Sequence, residues 1–101
     1  MKANFDAVLL DLDGEPIKEA GKKDEPAITL KAACLRALCT PLEEDRGLTG
    51  EQSFKRLELA RRINKGGEQE IDPEDAVLLR NRAAKVWIVE IAGQVYELLK
   101  G

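Results

Sequence analysis

A small α+β domain is what this sequence predicts, with a short N-terminal β-hairpin followed by three to four α-helices in a small bundle. Three observations lead there. An Asp13-Gly14 pair stands between two short segments that read as extended. Thr29, Thr49 and Asp72 each precede a stretch whose apolar residues recur every three or four positions, the mark of a capped amphipathic helix. The residues after the hairpin lack the alternating strands that a larger sheet would require. The chain of 101 residues is expected to form one domain, with the hairpin over 5–18, a mobile loop over 19–28 and the helical part over 29–100.

In the hairpin, Ala7-Val8-Leu9-Leu10 is a short apolar run bounded by Asp6 and Asp11. A type I′ turn needs positive φ at both central residues, which places the turn at Asp13-Gly14. The return strand, Glu15 to Lys18, contains Pro16, which has no N–H for a ladder and is expected to face outward on an edge. The charged, glycine-containing stretch from Glu19 to Pro26 reads as the loop. Thr29 then caps a helix to about Cys39, with Leu30, Ala33, Cys34, Ala37 and Leu38 on one face, and Thr40-Pro41 ends it.

After an acidic connector, Thr49-Gly50-Glu51-Gln52 has the form of a capping box, and Gly66-Gly67 suits the end of the helix it starts. Phe54, Leu57, Leu59, Ala60 and Ile63 cover a wide arc of that helix, so it is expected to be central, or to pack against a second chain as well as its own core. Its polar face offers the i to i+4 pairs Glu51 with Lys55 and Glu58 with Arg62. Glu68 to Ile71 reads as a short extended piece, a third strand beside the hairpin.

Ile71 to Lys100 carries the strongest helix signal. Asp72 suits an N-cap, Pro73 the first helical position, and Glu74 and Asp75 complement the positive end of the helix dipole. The apolar stripe Ala76, Leu79, Ala83, Val86 would continue to Glu90, Gly93 and Glu97, yet the apolar residues that follow are Ile88, Ile91, Ala92, Val95 and Leu99. The buried face therefore changes phase near Val86-Trp87-Ile88-Val89, which predicts two helices or one kinked helix. Trp87 and Tyr96 have two readings, as core residues with one polar atom satisfied or as anchors of an interface.

Composition narrows the functional classes. The net charge of −3 argues against a general nucleic-acid surface, and no stretch approaches a membrane span. The N-terminal residues Met1 to Asp6 lack the apolar core of a signal peptide, so a cytoplasmic location in the host cell is expected. Cys34 and Cys39 fall on different sides of one helix, and the chain has no histidine. They are expected as free, buried or half-buried thiols, with no disulfide and no zinc site.

Phe5-Asp6-Ala7-Val8-Leu9-Leu10-Asp11-Leu12-Asp13-Gly14 resembles the first motif of the haloacid dehalogenase superfamily. The resemblance implies a magnesium-dependent phosphatase with Asp11 as nucleophile and Asp13 as acid–base. The motif continues with Thr or Val where this chain has Glu15, and the family needs a doubly wound α/β domain. A calcium loop from Asp11 lacks a glutamate at its twelfth position. Asp11 to Gly14 is therefore read as a turn, with no catalytic, cofactor or metal residue assigned.

The order of the Asp-Gly hairpin, the Thr-Leu-Lys-Ala-Ala helix, the Leu-Thr-Gly-Glu-Gln helix, the Ile-Asp-Pro-Glu-Asp helix and the terminal Gly93-Gln94-Val95-Tyr96-Glu97-Leu98-Leu99 resembles small proteins of tailed phages and prophages. The resemblance implies a non-enzymatic assembly factor, tail-assembly chaperone-like, which binds a larger protein partner such as a phage structural protein; the wide apolar arc of the Thr49 helix and the phase change at Val86 to Val89 lead us to expect a homo-oligomer as well. Phe54, Leu57, Trp87, Ile88, Ile91 and Tyr96 are the residues expected to carry the contact. A second reading is a small phage-encoded inhibitor or regulator that binds a host defence protein or nucleic acid. A patch formed by Arg61, Arg62, Arg80 and Arg82 would serve it.

Overall fold

The computed structural model describes residues 1–18 and 26–100. Among these residues two strands and four α-helices follow in the order β1 (Lys2–Asn4), α1 (Leu30–Cys39), α2 (Gly50–Asn64), β2 (Glu68–Glu70), α3 (Pro73–Val86) and α4 (Val89–Leu99), with a 3-10 turn at Glu43–Asp45 before α2. The domain is α+β, an N-terminal hairpin followed by a bundle of four helices.

The hairpin is held by the Leu10–Pro16 bridge, but its turn differs from the expected one. Gly14 N–H donates to the Asp11 carbonyl at 3.0 Å, which centres the turn on Leu12 and Asp13, and Asp11 N–H donates to the Glu15 carbonyl at 2.7 Å. Gly14, at φ +85°, follows as the left-handed residue that this longer connection requires. The Asp11 carboxylate, through Oδ1, accepts both the Asp13 and Glu15 N–H groups at 2.9 Å, and those two bonds select this turn over the two-residue one. Pro16 is exposed, as its missing N–H demands.

Three short segments close on one another at the base of the hairpin. Ile17 N–H donates to the Leu9 carbonyl, Leu9 N–H to the Ile28 carbonyl and Ile28 N–H to the Ile17 carbonyl, at 3.0, 2.9 and 2.7 Å. Val8–Thr29 and Lys18–Ala27 bridges complete the triangle. Each segment thus satisfies the other two, which allows Leu9 and Ile28 to be buried without orphaned backbone groups. The expected loop at 19–28 falls mostly on residues 19–25, outside the described residues, while Ala27 and Ile28 belong to this triangle rather than to a loop.

The piece at Glu68–Glu70 is a strand, but it pairs antiparallel with Lys2–Asn4, upstream of the hairpin. Gly66 and Gly67, at φ +70° and +74°, turn the chain out of α2 into it. A Cβ on Gly66 would stand 2.7 Å from Asp6 Oδ1, the end of an exposed side chain that can move aside, so it is the positive φ that calls for glycine there.

Thr29 Oγ1 accepts the Ala32 N–H, and the Thr49–Gln52 capping box forms in both directions. Asp72 is the N-cap of α3 without a side-chain bond. Trp87 and Ile88 are both extended, so the phase change resolves as two helices. Ala76, Leu79 and Ala83 line the buried face of α3, and Ile91, Val95 and Leu99 that of α4.

Helix α2 is not the central helix; α1 is, packing against α2, α3 and α4. The fully buried Ala33 and Ala37 let neighbours come close to α1, whereas only Leu59, Ala60 and Ile63 of α2 are buried. The Glu51–Lys55 pair is present, but Arg62 reaches Asp75 on α3 and Glu58 pairs with Arg61.

Candidate interaction surface

Helix α1 ends with carbonyls that no further turn can satisfy, and one side chain supplies their donors. Arg82 of α3 is fully buried. Its Nε donates to the Ala37 carbonyl at 2.8 Å and its Nη2 to the carbonyls of Thr40 and Leu38, at 2.8 and 3.3 Å. The same guanidinium grips Asp45 with two bonds, at 2.7 and 3.1 Å, and Glu44 at 3.3 Å. It thereby completes the α1 terminus, complements its negative dipole end and ties the 3-10 turn to the bundle.

Asp45 also accepts the Leu42 N–H and an Arg56 bond. Its carboxyl is held well below the usual carboxylate range, first by the Arg82 bond and then by the Leu42 N–H, and Glu44 is lowered mainly by its bond to Lys85. A carboxyl whose pKa is lower folded than unfolded stabilises the fold above the unfolded value of about 3.9, and that stability is lost as pH falls toward the folded value. The melting temperature should therefore hold from neutral pH to about 5 and fall below about 4. The gap between wild type and Asp45→Asn, wide at neutral pH, should close over that acidic range. A gap that stays constant down to acid unfolding would show that Asp45 does not carry the dependence.

This network removes Arg82 from the basic patch set out above. The other three arginines are also engaged: Arg61 with Glu58, Arg62 with Asp75, and Arg80 with its guanidinium carbon 4.9 Å from the Tyr96 ring centre.

The apolar residues expected to make contact separate in the structure. Ile91 is 2% exposed and belongs to the core, because it shares the inward i, i+4, i+8 row of α4 with Val95 and Leu99. Trp87 is half-buried against the core, donates Nε1–H to the Ala33 carbonyl at 3.0 Å and lies under Arg36. Phe54 and Leu57 are exposed on the N-terminal half of α2, Ile88 at the α3–α4 junction and Tyr96 on α4. Cys34 is buried, which pushes its thiol up to about 12, whereas Cys39 is exposed rather than half-buried; both are free.

The largest apolar exposure lies elsewhere. A groove between the hairpin turn and α4 is lined by Leu10, Leu12, Val89 and Gly93, with Asp11, Glu90, Gln94 and Glu97. Leu12 is 90% exposed and Val89 87%. The groove is built by Gln94, whose amide oxygen accepts the Leu10 N–H at 2.8 Å while its amide nitrogen donates to the Leu10 and Glu90 carbonyls. A side chain of α4 thus acts as a strand partner for the hairpin and fixes the distance between the two walls. The sequence carried one sign of this surface, a leucine placed among the acidic residues of a turn, but the pairing with Val89 depends on the Gln94 contact across 84 positions.

Among the described residues no group of three or more His, Cys, Asp or Glu side chains is arranged to hold a metal, and no helix is long and apolar enough to cross a membrane. Comparison with protein-family models, with curated proteins and with solved structures finds no match for the chain.

Proposed function

We propose that this protein works by contact, as a non-enzymatic interaction and assembly factor of the tailed-phage kind, tail-assembly chaperone-like, that binds a larger protein in the host cytoplasm. The observation that supports it most is the groove at the hairpin turn. Leu12 and Val89 each forgo about 1.5–3 kcal/mol of burial in the free chain, and they line one cleft rather than lying scattered over the surface. The phage setting and the tail-assembly role rest on the resemblance of the caps, turns and terminal segment. Phe54 and Leu57 on α2 offer a second apolar surface, suited to self-association.

The test is affinity capture from cells that carry the whole source genome, with wild type and a Leu12→Asp/Val89→Asp double variant compared by mass spectrometry. Wild type should enrich one long tail or capsid component, and the variant should lose it while melting at the same temperature. Equal capture by both proteins would remove the groove from the function. Selective capture of a host defence enzyme would replace assembly by inhibition.

A further inference from the structure

The groove has a chemistry that narrows what fits it, granted the contact reading above. Its described lining holds three carboxylates, Asp11, Glu90 and Glu97, and no cation, around an apolar floor. An occupant complementary to it therefore carries an apolar ridge flanked by positive charge. The occupant's backbone is constrained as well. Both backbone groups of Leu10 are already taken by the Gln94 amide, so an incoming strand finds no free donor or acceptor there. A segment that binds beside Leu10 must arrive with its own backbone satisfied, which is the property of a helix.

Gly93 points the same way. It sits inside α4, where glycine costs about 1 kcal/mol relative to alanine, yet a Cβ built on it meets nothing within 4 Å. No contact among the described residues calls for glycine at this position. Val89, Gly93 and Glu97 form one i, i+4, i+8 row along the groove, and a gap at the middle of such a row lets a second helix approach closely.

We propose that the groove between the hairpin turn and α4 is the docking site for a cationic amphipathic helix of the partner. Its apolar ridge lies between Leu12 and Val89, its Lys or Arg side chains face Asp11, Glu90 and Glu97, and its backbone comes closest at Gly93.

The probe is a synthetic helical peptide with leucines at i, i+3, i+4 and i+7 flanked by lysines, titrated by fluorescence anisotropy at low and high salt. The same peptide with glutamates for lysines, and one with the leucine spacing scrambled, are the controls. The lysine peptide should bind about tenfold more tightly than the glutamate peptide, the combined worth of a few partly exposed ion pairs. That preference should shrink with salt and in a Glu90→Gln/Glu97→Gln variant.

Gly93→Gln should abolish binding while melting at or above the wild-type temperature, because it fills the gap with a better helix former. Equal binding of lysine and glutamate peptides, or full binding by Gly93→Gln, would overturn the proposal. A natural partner lost with Leu12→Asp/Val89→Asp but retained by Gly93→Gln and Glu90→Gln/Glu97→Gln would leave the contact function standing and remove the cationic helix.

Discussion

Arg82→Met should lower the stability of this domain by about 3–5 kcal/mol, the cost of removing one partner from a buried charge network. Methionine keeps much of the volume of the arginine stem, so the loss would come from the polar groups. Ala37 and Thr40 carbonyls lose their donors at the end of α1, and Asp45 keeps its charge with Arg56 as its remaining cation. Against a total of roughly 5–15 kcal/mol for a domain of this kind, such a change takes a large share. Chemical denaturation of the two proteins measures it. Asp45→Ala in the Arg82→Met background should cost far less than in wild type, because the two residues act through one contact. A loss below about 1 kcal/mol for Arg82→Met would mean that the α1 terminus finds its donors in water.

Phe5→Ala should also cost about 3–5 kcal/mol, the usual range for emptying a buried aromatic site. The ring is 1% exposed, and the backbone around it is pinned, with its N–H on the Gly67 carbonyl and its carbonyl on the Lys31 N–H. Pinned backbone at the meeting of β1, β2 and α1 resists collapse into the void, which places the cost toward the upper end. Phe54→Ala is the matched control: at 58% exposure it should stay within about 0.5 kcal/mol of wild type. Similar losses for the two would contradict the placement of Phe5 inside and Phe54 outside.

Phe5 and Phe54 also mark where the sequence is readable and where it is not. Each lies in a regular apolar pattern, but a pattern states only which face of an element is apolar, not whether another element covers it. On α2 the apolar arc runs from Phe54 to Ile63, and α1 covers only the C-terminal part. Ile88 and Ile91 read alike in sequence as contact residues three positions apart, yet Ile88 is the extended cap before α4 and Ile91 lies on the inward row of that helix. Arg82 reads in sequence as a surface cation because it stands off the apolar stripe of Ala76, Leu79 and Ala83, and its burial follows from the α1 terminus ending against it.

The residues by themselves determined the local events. The Thr29 and Thr49 caps, the Pro73 start, the exit through Gly66 and Gly67 and the helix break near Trp87 all depend on chain chemistry within a few positions. Their energies are local and so can be read locally. Tertiary structure alone decided the long-range pairings: β1 with β2, the closure of Leu9, Ile17 and Ile28, the Arg82 network and the Gln94 clasp that makes the groove. Each of these joins groups far apart in the chain, and each partner would look equally plausible with other mates. Which of them meet is settled by the packing of α1 against three helices, a property of the whole core that no single segment carries.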